Sequence, residues 1–464
     1  MKLTIVKASV LVVCAFIHTN VLAQSVSEKL TAAFKTFQND PQLSNGIASL
    51  YVVDAKTGQV VFDKNSSVGL APASTQKIIT SASAYELLGA DFRYKTTFAY
   101  QRGQQPSLII LPSGDPTFGS WRWPETQDGA VMKGLARAIR NTGIKSFNEV
   151  QLANNGWNEE TIPDGWMWQD VGNYYGAGPA KLNWRENQYD VHLKSGSRIG
   201  DPVTIVKTVP RLHGFALRSE LTSAAAGTGD NAYIYFPLNA ATGAIRGTIP
   251  INESSFKISG AVPSASQQFL GALADTLKQL GIQMPKTATL QNGVNASGQN
   301  FTPFHTVTSP PLDSIIFWFN RKSINLYGEA LLKTIAYKNS ENGSTAKGVK
   351  LVKEFWKGRG IAESELNIVD GSGLSPLNRV TTHAQVKVLQ HAQKQAWFNG
   401  FYTSLPLYNG MKMKSGTIRG VKGFCGYHRS KDGKEYVFAF LVNNYNGSTS
   451  GVVQKMYKVL NELK

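Results

Sequence analysis

Residues 70–88, Leu-Ala-Pro-Ala-Ser-Thr-Gln-Lys-Ile-Ile-Thr-Ser-Ala-Ser-Ala-Tyr-Glu-Leu-Leu, put Ser74 and Lys77 at the start of a helical run. Before it lie two β-rich segments, 46–54 and 59–63, joined by the turn Ala55-Lys-Thr-Gly58, a pattern that predicts a hairpin. A hairpin feeding a helix places Ser74 and Lys77 on one face, one turn apart. Backbone N–H groups at a helix start point outward, and the helix dipole favours negative charge developing there. The Lys77 amine then reaches the Ser74 hydroxyl, and partial burial lowers the lysine pKa towards that of a base. Ser-x-x-Lys alone is weak evidence, because a Ser helix cap beside a solvated lysine gives the same string. It recurs at Ser254–Lys257, in a strand-like stretch, and at Ser344–Lys347, after a polar loop. Neither copy is predicted to share the setting of Ser74.

Two further segments complete a chemical set. Residues 312–320 and 326–337 have helical periodicity, and the break between them holds Ser323-Ile-Asn325. A Ser and an Asn two apart on such a loop face one cleft, where the Ser passes a proton and the Asn amide both donates and accepts. Lys414-Ser-Gly-Thr417 sits in an alternating run that continues to Tyr427, followed by a Lys-Asp-Gly turn and the strand 435–442. Gly416 lets a ligand backbone approach the strand edge. The Thr417 hydroxyl beside the Lys414 ammonium suits a terminal carboxylate, so Ser415, Gly416 and Thr417 are candidate substrate-binding positions. The copies Lys56–Gly58 and Lys194–Gly196 fall in a turn and at a strand end. A nucleophile, a base, a proton relay and a cationic anchor are what acyl transfer through a serine ester requires.

The remainder of the chain sets the context. Residues 1–7 are basic, residues 8–17 are apolar, and Val21-Leu-Ala23 predicts signal-peptide cleavage before Gln24. A membrane anchor is the weaker reading, because the apolar run is too short to span a bilayer. Beyond the leader only Cys425 remains, which leaves no intramolecular disulfide. The formal net charge of +17 suits an acidic wall polymer, or simply keeps the chain soluble, and export argues against nucleic acid. Residues 26–38 read as an amphipathic helix, 186–262 as β-rich, 264–280 as a helix, and 451–463 as a closing helix. Trp157, Trp166, Trp168, Tyr174, Tyr175 and Trp184 cluster along the chain, which favours an irregular loop packed on a domain over a glycan- or peptide-contacting surface.

Ser74-x-x-Lys77, Ser323-x-Asn325 and Lys414-Ser-Gly-Thr417, on helix, loop and strand edge, resemble the motifs of the penicillin-interacting serine transferases. The interval between the first two is far too long for a compact β-lactamase. It is similar to that of the class C penicillin-binding proteins, the D-alanyl-D-alanine carboxypeptidase/endopeptidase family, which insert domains there. Ser113-Gly-Asp-Pro116 and Asp370-Gly-Ser-Gly-Leu-Ser375 match further phrases of that family, and the resemblance spans nearly all of residues 26–460.

The resemblance implies an α+β fold: a β-lactamase/transpeptidase-like domain, an antiparallel sheet flanked by helices, split by inserted α/β and β-rich domains. The expected layout is a signal peptide over 1–23, a first transpeptidase-like part over 24–91, insertions over 92–300 and a second part over 301–464. It also implies that Ser74 attacks the carbonyl of the penultimate D-Ala while Lys77 takes its proton. Backbone N–H groups of Ser74 and Thr417 form the oxyanion hole, Ser323 and Lys414 relay a proton to the leaving amine, and Asn325 holds the substrate amide. The implied partners are peptidoglycan stem peptides and, as covalent inhibitors, β-lactams. No cofactor, metal, nucleic acid or stable membrane span is implied, and the implied location is the periplasm, free or loosely associated with membrane or wall.

Two positions depart from the family pattern, Ser415 where Thr is commonest and Pro376 where many relatives carry Arg. Two rival readings stay open: a β-lactamase or esterase using the same serine, and a non-catalytic wall-binding protein, which has no use for an activated serine. The seven His and two Cys form no His-Glu-x-x-His or Cys/His cluster, and Gly-x-Ser-x-Gly is absent, which disfavours a zinc peptidase and a Ser-His-Asp hydrolase.

Overall fold

The computed structural model describes residues 24–101, 106–154, 156–285, 291–295, 301–340 and 342–464, so the predicted leader lies outside the described residues. A six-stranded antiparallel sheet runs in the order Leu407–Tyr408, Met411–Ile418, Val421–Arg429, Glu435–Asn443, Ile47–Asp54, Val60–Lys64. The predicted 46–63 hairpin is thus the far edge of a sheet whose middle comes from the C-terminal end of the chain, with Ile47 opposite Asn443. The run from Lys414 to Tyr427 is not continuous, because a turn at Arg419-Gly420 folds it into two paired strands.

Alternation along the strands builds two cores. One face, with Leu50, Val52, Phe438 and Phe440, packs against the helices Val26–Gln38 and Thr449–Leu460. The other face packs against Lys77–Leu88, Leu312–Lys322, Asn325–Ser340 and Thr382–Ala392. Every residue from Lys77 to Tyr85 is buried, so the helix following Ser74 runs through the middle of the protein, not along its surface. Among the described residues no helix is long and apolar enough to cross a membrane.

A five-stranded mixed sheet contains Val150–Asn154, Ser107–Leu111, Lys95–Gln101 and Thr302–Thr308 and is covered by the helices Asp128–Thr142 and Ala265–Gln279. Its last strand pairs with its first, so the boundary expected at residue 300 falls one strand early. Residues 188–261 form two three-stranded sheets around Val191, Leu221, Ile234 and Ile249. The aromatic cluster divides: Trp157 and Trp184 are buried, whereas Trp168 and Tyr174 stay half-exposed.

The loop region joins the catalytic-motif helices through one buried ion pair. Arg185, Glu186 and Asn187 all adopt left-handed backbone, with φ of 53°, 53° and 54°. That turn drives the fully buried Glu186 carboxylate inward, where it takes hydrogen bonds from Arg122 (2.6 and 2.9 Å), Ser120 (2.7 Å) and the Tyr327 hydroxyl (2.7 Å). Tyr327 lies two residues after Asn325, so this pair braces the helix that presents the second motif. Glu186→Ala strands the Arg122 guanidinium and is expected to cost about 3–5 kcal/mol, read by denaturant unfolding.

Candidate active site

Ser74 sits in a single 3-10 turn, Ala73–Gln76, that leads directly into the Lys77–Leu88 helix. The turn is held from both sides. Thr75 donates its hydroxyl to the Pro72 carbonyl (2.6 Å), and the buried Ala73 takes φ of 45°. A Cβ on Gly416 would lie 2.6 Å from the Pro72 carbonyl oxygen and 2.8 Å from the Ser74 nitrogen. A Cβ on Gly373 would lie 2.0 Å from the Ala73 carbonyl oxygen. Only glycine permits the motif strand and the 370–375 loop to close on the serine turn this tightly.

Lys77 is fully buried, and its Nζ lies 2.9 Å from Ser74 Oγ, 2.7 Å from Asn325 Oδ1 and 2.7 Å from the Ser372 carbonyl. The last two oxygens only accept. A neutral amine meets both with its two hydrogens and keeps its lone pair for the Ser74 hydroxyl proton. Burial first, then the nearby Lys414 ammonium, holds Lys77 well below the ordinary lysine range, against the opposing pull of Asp370 and Glu329. Ser74 Oγ is thus in direct contact with a buried amine whose charged form is disfavoured.

Ser323 caps the Leu312–Lys322 helix in left-handed backbone, φ 57° and ψ 41°. Its Oγ accepts from Lys414 Nζ at 3.0 Å, and the same ammonium reaches the Ser415 carbonyl at 2.8 Å. Burial pushes Lys414 down to about 7. Asn325 is the first residue of the next helix and not a loop residue; its amide nitrogen donates to the Tyr175 carbonyl at 2.7 Å. The structure therefore gathers Ser74, Lys77 and Asn325 into one hydrogen-bonded set and Ser323 and Lys414 into a second, near enough that the Lys414 charge acts on Lys77.

Two sequence expectations need correction here. The Thr417 hydroxyl is not beside Lys414; it accepts from Lys422 Nζ at 2.8 Å. Thr417 and Lys422 are cross-strand neighbours and so project to the same face, whereas Lys414 pairs with Cys425 three residues away. Lys422 is nearly buried over the Phe424 ring, and burial pushes it down to about 8. Helix-start position also fails to separate the serine copies, because Ser344 opens the helix Thr345–Lys357. There its hydroxyl caps the Lys347 N–H at 3.3 Å, the ordinary use of such a serine. What distinguishes Ser74 is that its hydroxyl caps nothing and meets a buried amine. Ser254 lies exposed in a bend two residues before the strand Phe256–Ala261, and Lys257 pairs with Asp190. The Ser113–Pro116 phrase forms a tight turn: Asp115 caps Thr117, and Gly114 packs under Trp157.

Sequence reading missed the acids behind the site. Asp370 takes five hydrogen bonds, from Gln76, Trp166, Gly373, Ser375 and Asn378. It thereby shapes the loop that offers the Ser372 carbonyl to Lys77, and the Asp-Gly-Ser-Gly phrase was its signal. Glu329, one turn after Asn325, was detectable only as a charge inside an apolar helix.

Comparison with known proteins places the chain in a family and matches its fold. A family model described as the D-Ala-D-Ala carboxypeptidase 3 (S13) family matches residues 30–462. The chain is 26% identical over 455 residues to the D-alanyl-D-alanine carboxypeptidase of Actinomadura sp. (strain R39), covering 89% of this chain and 81% of that one. It is 23% identical over 418 residues to the D-alanyl-D-alanine carboxypeptidase DacB of Haemophilus influenzae, covering 84% and 83%. The fold matches the crystal structure of penicillin binding protein 4 from Haemophilus influenzae with a TM-score of 0.79 at 20% identity, covering 93% of this chain and 99% of that one. The complex of that protein with a β-lactam matches with a TM-score of 0.73.

Ser74→Ala is expected to abolish covalent labelling by benzylpenicillin. Ser344→Ala should keep labelling and cost only about 1 kcal/mol of stability, the worth of a helix cap. Labelling that survives Ser74→Ala and disappears in Ser254→Ala or Ser344→Ala would overturn the choice of serine.

Proposed function

The chain belongs to the D-Ala-D-Ala carboxypeptidase 3 (S13) family, and from that premise we infer the course of its reaction. It is a serine-type D-alanyl-D-alanine carboxypeptidase that works through an acyl-enzyme. We propose that Ser74 is the nucleophile and attacks the carbonyl of the penultimate D-Ala of a peptidoglycan stem peptide while Lys77 removes its proton. Backbone N–H groups of Ser74 and Thr417 receive the oxyanion, each such donor being worth about 3–4 kcal/mol. The proton leaves Lys77 through Ser323 and Lys414 to the departing amine, and water then releases the acyl group from Ser74. Asn325 spends its amide on Lys77 and Tyr175 in the free enzyme, so it fixes the base before it meets a substrate amide. The observation that carries this reading is the Lys77 amine, held by two pure acceptors with its third contact on Ser74.

In this proposal the terminal carboxylate of the substrate binds at the Ser415 and Thr417 hydroxyls and Gly416 on the strand edge; the contacts of Lys414 with the Ser415 carbonyl and of Lys422 with the Thr417 hydroxyl support it. The same chemistry cleaves D-Ala cross-links, so endopeptidase work and a periplasmic location belong to this proposal. β-Lactams enter as substrate mimics that acylate Ser74.

Intact-mass measurement after incubation with benzylpenicillin should show one long-lived adduct on Ser74; fast turnover of a chromogenic cephalosporin without an adduct would favour the β-lactamase reading instead. Lys414→Ala should lower acylation efficiency by about two orders of magnitude, since the contact strengthens as the amide breaks. A comparable loss from Lys194→Ala would show that the wrong Lys-Ser-Gly was chosen.

Pro376 bears on specificity. It has no side-chain donor, and the cation three residues on, Arg379, is turned onto the Pro376 and Asn378 carbonyls. A carboxylate on the third residue of the stem peptide therefore meets no arginine at this position. Pro376→Arg is expected to raise kcat/KM for diaminopimelate-type over lysine-type peptides by roughly ten- to a hundredfold, the worth of one bidentate contact. A strong wild-type diaminopimelate preference that the variant leaves unaltered would place recognition elsewhere.

A further inference from the structure

Two buried carboxyl groups lie behind Lys77, and their surroundings differ. Asp370 is saturated by its five donors and acts purely as an acceptor. Glu329 has no exposed surface; its Oε2 accepts the Gly371 N–H at 2.8 Å, and the Ser372 side chain is a second, weaker partner, so it has two donors against the five of Asp370. Two neighbouring carboxyls shielded from water do not both ionise, and the one with more donors keeps the charge. The donor count therefore leaves the proton on Glu329.

The location of Glu329 gives that proton a purpose. Gly371 is the residue before Ser372, whose carbonyl oxygen is one of the two acceptors of Lys77. Gly371 is also packed so closely on Gly328 that a Cβ would lie 2.4 Å from the Gly328 carbonyl oxygen. The Thr80 hydroxyl completes the clamp on the Gly371 carbonyl at 2.6 Å. The charged or titratable groups facing Glu329 are Lys77 from the serine helix, Asp370 from the loop and Lys333 one turn along its own helix. Lys333 is spent on the Asn158 and Glu160 carbonyls, at 2.7 and 2.6 Å.

We propose that Glu329 is a positioning residue that works as a neutral carboxylic acid: bonded to Gly371, it fixes the Ser372 carbonyl under Lys77, and by carrying a proton it leaves Lys77 beside one negative charge instead of two. A second carboxylate there would draw a proton onto Lys77 and remove the base. Burial, reinforced by the Asp370 charge, pushes Glu329 up to about 8, which fits a group that is protonated at neutral pH. This inference deepens the reading of Lys77 as the base and rests on it.

The first test is spectroscopic and uses the wild-type enzyme. Its infrared spectrum at pH 7 should contain the carbonyl stretch of a protonated carboxylic acid, absent from Glu329→Gln and lost from the wild type as the pH passes about 8. Absence of that band overturns the proposal. The second test is kinetic. Glu329→Ala should slow benzylpenicillin acylation by about tenfold or more, and Glu329→Gln should rescue most of that loss, with its acid limb at the wild-type pH. Wild-type rates in Glu329→Ala, or an acid limb moved to lower pH in Glu329→Gln, overturn the proposal; the latter is the mark of removing a standing negative charge beside Lys77.

The third test is stability. Below about 4.5 the carboxyl is protonated both folded and unfolded; between there and about 8 only the unfolded chain ionises. The Tm of Glu329→Gln should therefore gain on the wild type across that window, and a constant difference counts against the proposal. Retention of acylation in Lys77→Met would sink the reading of Lys77 as base while leaving the infrared band in place, so the two failures are distinguishable.

Discussion

Lys77 is held out of water between two fixed oxygens, Asn325 Oδ1 and the Ser372 carbonyl, with Ser74 as its third contact. An amine in that position loses much of the advantage of being charged, because the hydration that favours the ammonium is gone. The rest of the molecule is arranged to keep it dry. The helix that carries it is enclosed between the main sheet and three other helices, which explains why residues 77–85 are buried on every side, small and polar members included. Its serines and threonines reach carbonyl or side-chain partners, Thr80 on Gly371 and Ser83 on Ile79, so the enclosed helix leaves them satisfied.

How much of this was legible depended on distance along the chain. The serine and its lysine are one turn apart, and that spacing, with a hairpin before it and a helical run after it, predicted their contact. The hairpin, the closing helix and the strands around Lys414 followed from periodicity. The partner of the Thr417 hydroxyl was not legible, because the turn at Arg419-Gly420 decides which lysine returns beside it, and that turn interrupts a run that reads as continuous. Asp370 and Glu329 acquire meaning only from groups far off in sequence: Gln76 and Trp166 for the first, Gly371 for the second. Ser344 shows the reverse failure. Its local signal matches that of Ser74, and only the capping bond reveals its ordinary role.

The inserted region is coupled to the site and does not merely hang from it. The Tyr175 carbonyl accepts from the Asn325 amide, Trp166 donates its indole N–H to Asp370, and Glu186 accepts from the Tyr327 hydroxyl. Each contact ends on a residue that orients a motif and not on a motif serine. Three consecutive left-handed residues at 185–187 carry backbone strain that surrounding contacts must offset. The Arg122 pair and the Asn187 bonds to Trp184 and Gly178 are those contacts.

The main sheet sets the strand 47–54 directly against the strand 435–443, so the two ends of the chain meet across its centre. Ser74 and Lys77 are synthesised early, yet the strand edge they face and the glycine that closes on them come more than three hundred residues later. A growing chain therefore carries the proposed nucleophile for most of its length without the strand edge proposed to complete the site. Long-range pairing of this kind is slow, because the loop must close before any contact repays it. Hydrolytic competence thus arrives with the last strands, and a chain cut short before them holds a serine and a lysine but no enzyme.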